Sequence, residues 1–170
     1  RALGGDPGVG TYQDGAYSED FGIASTENAL YDVARIEVLR GPQGTLYGRN
    51  SIGGAVNFIT NKPTREFSAE IKTIAGSDSA AEVYSFLSGP ITEHISGRLV
   101  AVHRMRDGTV TDLAGHEPLD SYDDENYTLA LRWENDSFTF DIRGNARSYG
   151  RILASAQGAG LIVTSEYGAG

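Results

Sequence analysis

Three histidines and a run of acids are the side chains in this sequence best equipped for chemistry, and their spacing gives them little of it. His94, His103 and His116 are too scattered along the chain to form a metal-ligand motif. Asp120, Asp123, Asp124 and Glu125 offer hard oxygen ligands of the kind calcium takes, but the run lacks the glycine and the spacing of a calcium loop and reads better as a solvated face. No Ser/His/Asp spacing and no H-E-x-x-H occurs, and the glycine-rich residues 41–54 carry no phosphate-loop lysine. Cysteine is absent, so neither a thiolate nor a disulfide is available. The residue types therefore predict neither an enzyme nor a resident cofactor or metal, and leave recognition and transport.

The elements that position any binding group centre on residues 35–63. Residues 35–39 alternate, with Ile36 and Val38 on one face and Arg35 and Glu37 on the other, which predicts a half-buried strand. Gly41 and Pro42 stop it. Gly44, Gly48, Gly53 and Gly54 permit the tight backbone of a compact loop. Residues 55–60 predict a second strand with Val56 and Phe58 facing one way, and Pro63 closes the unit. Upstream, residues 9–17 predict a strand and turn broken at Asp14-Gly15, and Ser25 or Thr26 caps a short helix running to Tyr31.

After Pro63 the pattern changes to hairpins. Strands are expected over 66–75, 82–88, 95–106, 126–133 and 138–149, with long connections at 107–125 and after Gly150 and short turns at 89–93 and 134–137. The last hairpin alternates most clearly: Tyr127, Leu129, Leu131 and Trp133 share one face, as do Phe138, Phe140 and Ile142. In residues 95–106 the pattern is ambiguous, because Leu99, Ala101 and Met105 compete with Val100 and Val102 on the opposite face. Such alternation suits either a soluble sandwich with one wet face or a membrane barrel, and short turns alternating with longer loops favour the barrel. No apolar run approaches the roughly 20 residues of a membrane helix, and the formal charge of −9 argues against nucleic acid as a partner.

Residues 35–63 resemble, over their whole length, the signature of the plug domain of TonB-dependent outer-membrane receptors: Arg-Ile-Glu-Val-Leu-Arg-Gly-Pro at 35–42, Leu-Tyr-Gly at 46–48, Gly-Gly-Ala-Val-Asn-Phe-Ile-Thr at 53–60, then Lys62-Pro63. Tyr12-Gln-Asp-Gly-Ala-Tyr17 is similar to the strand that precedes it in that family. The resemblance implies a mixed plug, mainly β with a short helix, over residues 1–64, and antiparallel transmembrane β-barrel strands over 65–170, an incomplete part of a 22-stranded barrel. With no methionine at Arg1 and small residues up to Gly170, an interior piece of a longer chain is expected, about five barrel strands among it.

What the family implies about function is uptake across the bacterial outer membrane, energised by TonB through an amino-terminal segment outside this sequence. Lipid and a small-molecule ligand would be the other partners, with a ferric siderophore as leading cargo and cobalamin, carbohydrate or another metal chelate as alternatives. A soluble β-rich binding or adhesion domain is the rival of another class. The resemblance assigns plug signature and plug–barrel contact to Arg35, Glu37, Arg40, Gly41, Pro42, Gly44, Tyr47, Gly48, Arg49, Gly53, Gly54 and Asn57. It assigns ligand contact to Tyr17, Glu19, Asp20 and Phe21, where an aromatic pair suits an iron chelate and the two acids do not suit an anion.

Overall fold

The computed structural model describes residues 9–17, 30–41, 53–109, 121–151 and 156–167, and divides into two compact units, Arg1–Asn61 and Lys62–Gly170. The first is a four-stranded sheet: β1 (Val9–Gln13), β2 (Ala16–Tyr17), β3 (Val33–Arg40) and β4 (Gly54–Thr60), in the order β2-β1-β4-β3. Asp14 and Gly15 join β1 to β2 with φ of 48° and 82°, the left-handed pair that a two-residue hairpin turn demands and that an Asp-Gly sequence tolerates. β1 lies parallel to β4, from Val9↔Gly54 to Gln13↔Phe58, and β3 lies antiparallel to it, from Val33↔Thr60 to Arg40↔Gly54. β4 is thus the central strand, and burial follows: Ala55, Asn57 and Thr60 are buried, together with Tyr12 of β1.

Strand β3 departs from expectation. Its apolar side chains are not half-buried: Ile36 is 49% and Val38 64% exposed, while Glu37 on the polar face is the less exposed neighbour. The reason is positional, since β3 is the edge strand of its sheet and its alternation reports two unlike surfaces rather than a core. Of the helix expected up to Tyr31, all but Leu30 and Tyr31 lie outside the described residues.

The second unit is an antiparallel meander of six strands, β5 (Ser68–Ala75), β6 (Ala81–Pro90), β7 (Ile95–Arg106), β8 (Tyr122–Glu134), β9 (Phe138–Arg151) and β10 (Ala156–Tyr167), each paired with its sequence neighbour. Strands β7 and β8 pair in unbroken register from Ile95↔Trp133 to Arg106↔Tyr122. Two expectations are corrected. A sixth strand, β10, stands where a long connection after Gly150 was expected, because Ala156-Gln-Gly-Ala-Gly160 has too few large side chains to show alternation. Strand β8 also starts at Tyr122, inside the stretch expected to be loop, since its consecutive acids alternate between the two faces of the strand.

Short turns close the hairpins at one end of this sheet. Thr92 Oγ1 accepts the Ile95 N–H at 3.1 Å in one turn, and Asn135 Oδ1 accepts the Phe138 and Ser137 N–H groups at 2.8 and 3.0 Å in the other. The two turns are tied together, with the Glu134 N–H donating to His94 O at 2.9 Å and Arg65 bonding both the Glu134 carboxylate and the Glu93 carbonyl.

The sheet's faces differ in polarity. Leu99, Tyr127, Leu129, Leu131, Trp133, Phe138 and Phe140 are exposed, whereas Arg98, Asp124, Asn126, Thr128 and Arg143 are buried on the opposite face with Tyr84, Val100 and Val102. This settles the ambiguity in β7: Val100 and Val102 share the buried face, and Leu99 and Met105 the exposed one.

Candidate functional site

The four-stranded sheet has two ends of different construction. At one, β3 hands over to β4 through a narrow neck: the Gly41 N–H donates to Gly53 O at 3.3 Å, and Arg40 stands opposite Gly54. Gly41 has φ of 83° and Gly54 of 144°, and a Cβ on Gly54 would lie 2.4 Å from Leu39 O. The neck therefore requires glycine on both backbone and steric grounds. Of the signature residues expected beyond it, Pro42, Gly44, Tyr47, Gly48 and Arg49 lie outside the described residues, as do Glu19, Asp20 and Phe21 of the expected ligand contact.

Three signature residues are brought together across the sheet. Arg35 Nε donates to Glu37 Oε1 at 2.8 Å, Asn57 Nδ2 donates to Glu37 Oε2 at 3.4 Å, and Asn57 Oδ1 accepts the Gly15 N–H at 3.2 Å. This chain of bonds runs from edge strand β3 through central β4 to the β1–β2 turn, so both Glu37 oxygens have partners within the sheet. Arg40 is exposed beside the neck. Tyr17, 40% exposed, packs edge-to-face on buried Tyr12 with ring centroids 5.6 Å apart. The buried ring orients its neighbour.

Sequence reasoning missed the opposite end. There Asp14 accepts the Thr60 N–H at 3.0 Å and the Thr60 hydroxyl at 2.6 Å, and Asp32 accepts the Asn61 side-chain amide at 3.2 Å. The Asp-Gly pair announced the turn, but nothing in it announced that the carboxylate would reach a strand 46 residues away.

The buried face of the six-stranded sheet carries a second polar arrangement that was not foreseen. Glu82 accepts from Tyr84 at 2.6 Å, Arg104 at 3.3 Å and Tyr122 at 3.4 Å. Arg104 and Arg106 lie over the Tyr122 ring at 5.1 and 5.2 Å, and Lys72 over Tyr84 at 5.6 Å. Nearer the short turns, Arg132 grips Asp141 with two bonds of 2.7 and 2.8 Å. The signal available was alternation itself, which puts Arg132 and Asp141 opposite each other once the register is known.

The same alternation divides the acidic run. Asp123 is exposed and bonds His103 Nε2 at 3.0 Å, while Asp124 is buried on the other face, so β8 separates carboxylates that are adjacent in sequence. Among the described residues no group of three or more His, Asp or Glu could hold a metal ion.

Comparison with known proteins agrees with this architecture. Residues 1–55 match the family described as TonB-dependent Receptor Plug Domain. The ferripyoverdine receptor of Pseudomonas aeruginosa is 39% identical over 85 residues, covering 49% of this chain and 10% of the receptor. The pesticin receptor of Yersinia enterocolitica is 34% identical over 111 residues, covering 64% of this chain and 16% of the receptor. The crystal structure of the ferric yersiniabactin uptake receptor from Yersinia pestis superimposes with a TM-score of 0.74 at 27% identity, over 85% of this chain and 23% of that one. The chain thus spans a small part of the length of the relatives it matches.

Proposed function

We propose that this chain, whose residues 1–55 match the TonB-dependent receptor plug domain, is part of a TonB-dependent receptor and serves energised uptake of a ferric siderophore across the bacterial outer membrane. Residues 1–64 are read as the plug, and 65–170 as the first strands of a transmembrane barrel that closes with 22 strands in the complete receptor. Lipid meets the exposed face of those strands, the ligand meets the plug near Tyr17, and TonB acts from the amino-terminal side.

The observation that carries this reading is the inverted polarity of the six-stranded sheet. A soluble sandwich buries its apolar face; here Leu129, Leu131, Trp133, Phe138 and Phe140 are exposed together while Arg98, Asp124, Asn126, Thr128 and Arg143 are buried. Contiguous apolar surface of this kind is costly in water and stable against hydrocarbon. A soluble binding domain is disfavoured on the same ground. Iron is the favoured cargo because the relatives are receptors named for ferripyoverdine and ferric yersiniabactin.

Within the plug, the polar bonding of Arg35, Glu37 and Asn57 suits a body that must be ordered yet yield under force, because each hydrogen bond exchanged with water has a net worth of roughly 1 kcal/mol. The charge on Arg40, exposed beside the glycine neck, suits pairing with a polar barrel lumen.

Uptake of a panel of labelled ferric siderophores by cells carrying the complete gene, with and without TonB, tests the proposal. TonB-dependent accumulation of one chelate is the expected result. Growth restored by cobalamin or an oligosaccharide in place of iron would keep transport and replace the cargo, and a protein that never reaches the outer membrane would end the transport reading.

A further inference from the structure

The exposed face of the six-stranded sheet has a hollow in it. Gly89 of β6 and Gly97 of β7 stand opposite each other in the ladder, on the face that carries Leu99 and Leu129. With no side chain at either position, neighbours lean across: a Cβ on Gly89 would lie 3.4 Å from the Phe67 ring, and one on Gly97 2.8 Å from Ile91 Cδ1. These neighbours rim the hollow without filling it. Phe67 is 73% and Ile91 62% exposed, and a cavity of about 270 Å³ remains between them and Leu99, Leu129 and Leu131.

The hollow suits hydrocarbon better than water. Its volume is that of roughly nine water molecules, but its polar neighbours are engaged elsewhere. Ser88 Oγ accepts the Thr64 N–H at 3.0 Å and donates to Gly97 O at 3.3 Å, while the Arg98 guanidinium lies 4.1 Å over the Phe86 ring. What covers the hollow follows from its surroundings. Leu99, Leu129 and Leu131 belong both to its wall and to the apolar face read as lipid-facing, so the two surfaces are continuous.

One end of the hollow reaches the short turns. Ile91 belongs to the turn between β6 and β7, and Arg65, two residues before Phe67, bonds the Glu93 carbonyl of that turn and the Glu134 carboxylate. A partly exposed guanidinium at the edge of an apolar hollow matches the phosphate of a lipid whose chain lies inside. Glu134 already offsets part of this charge, so packing of the chain must supply most of the selectivity.

We propose that the hollow seats one acyl chain of a membrane phospholipid from the leaflet at the short-turn end, with the lipid phosphate at Arg65. The proposal rests on the reading of the apolar face as lipid-facing. Moving a chain from one hydrocarbon medium to another brings no hydrophobic gain, so what selects the site is van der Waals contact. A chain in the hollow meets protein on several sides, whereas one on a flat face meets it on one.

Native mass spectrometry of the complete receptor, released from detergent micelles titrated with dioleoylphosphatidylethanolamine, counts the lipids retained. One phospholipid should bind about tenfold more tightly than those that follow it. Gly97→Val fills the hollow with an apolar side chain and should abolish that step. Ile91→Trp, which closes the mouth from a turn, should do the same without touching the ladder. Arg65→Gln should weaken the step by about threefold, and Ala101→Val, on the same face outside the hollow, should leave it as in the parent.

Lipids that bind to the parent with no distinguished first step, or a first step indifferent to both Gly97→Val and Ile91→Trp, would overturn the seat. Parent-like binding by Arg65→Gln would overturn the placement of the phosphate. A parent dimer that Gly97→Val dissolves would replace the lipid with a second copy of the chain. The lipid-facing reading fails separately, by a receptor that does not insert into vesicles, and a receptor that inserts normally yet retains no distinguished lipid refutes the seat alone.

Discussion

In the four-stranded sheet the side chains that hold strands together come from distant parts of the chain: Asp14 reaches Thr60, and Glu37 and Gly15 meet on Asn57. In the six-stranded sheet every strand pairs with its sequence neighbour, and what orders the structure is the division between an apolar exposed face and a polar buried one. The first sheet depends on a few directional bonds and two backbone positions that need glycine. The second depends on area and on the medium it faces. A sheet of the first kind can be opened by breaking a small number of contacts, whereas one of the second kind resists local damage and fails when its solvent is wrong. The difference suits the proposed reading of the first sheet as a movable plug and the second as part of a fixed wall.

The largest expected effect would break the comparison on the side of the six-stranded sheet. Leu129→Arg puts a charge in the middle of the exposed apolar face, where Leu129 is 52% exposed. If that face meets hydrocarbon, folding of the complete receptor into vesicles should weaken by about 2–4 kcal/mol, as read from a urea titration of membrane-inserted protein. Were it water-facing, the change would be near neutral, and the two sheets would no longer differ in kind.

A smaller effect sharpens the account of the neck. Gly54→Ala places a methyl group against Leu39 O at a φ that L residues rarely adopt, at a cost of about 1–3 kcal/mol. The damage should stay local: hydrogen exchange would accelerate at β3 and β4 and remain unchanged in β7 and β8. Equal acceleration in both units would mean that the neck is not a separate element.

The smallest effect concerns the exposed link in the polar chain. Arg35→Ala removes the donor to Glu37 Oε1, a pair with side chains 63% and 37% exposed. Its loss should cost about 0.5 kcal/mol or less and be masked by salt. A denaturation midpoint that moves strongly and ignores ionic strength would show that Arg35 does more than this bond.

Much of the fold was legible in the sequence because two periodic signals are local. Alternation in β8 and β9 identified the exposed face residue by residue, and Leu129, Leu131, Phe138 and Phe140 lie where that pattern puts them. The Asp14-Gly15 turn was readable because few residue pairs accept two successive left-handed conformations. Reading failed where side chains were small, as at the start of β10, and where polarity was taken for loop, as at Asp123 and Asp124 of β8. It failed differently at β3, whose alternation was correct and whose burial was not, because burial belongs to the position of a strand in its sheet.

The sequence by itself determined most of the strand-forming stretches, the tight turns and the glycine positions, since φ preference and period-two patterning act over a few residues. Tertiary structure alone decided which strand is central, that β1 runs parallel to β4, and that Asp14 meets Thr60. Those outcomes depend on which distant segments come to share a ladder, and pairing across dozens of residues is set by the competition of whole strands for partners rather than by any local preference.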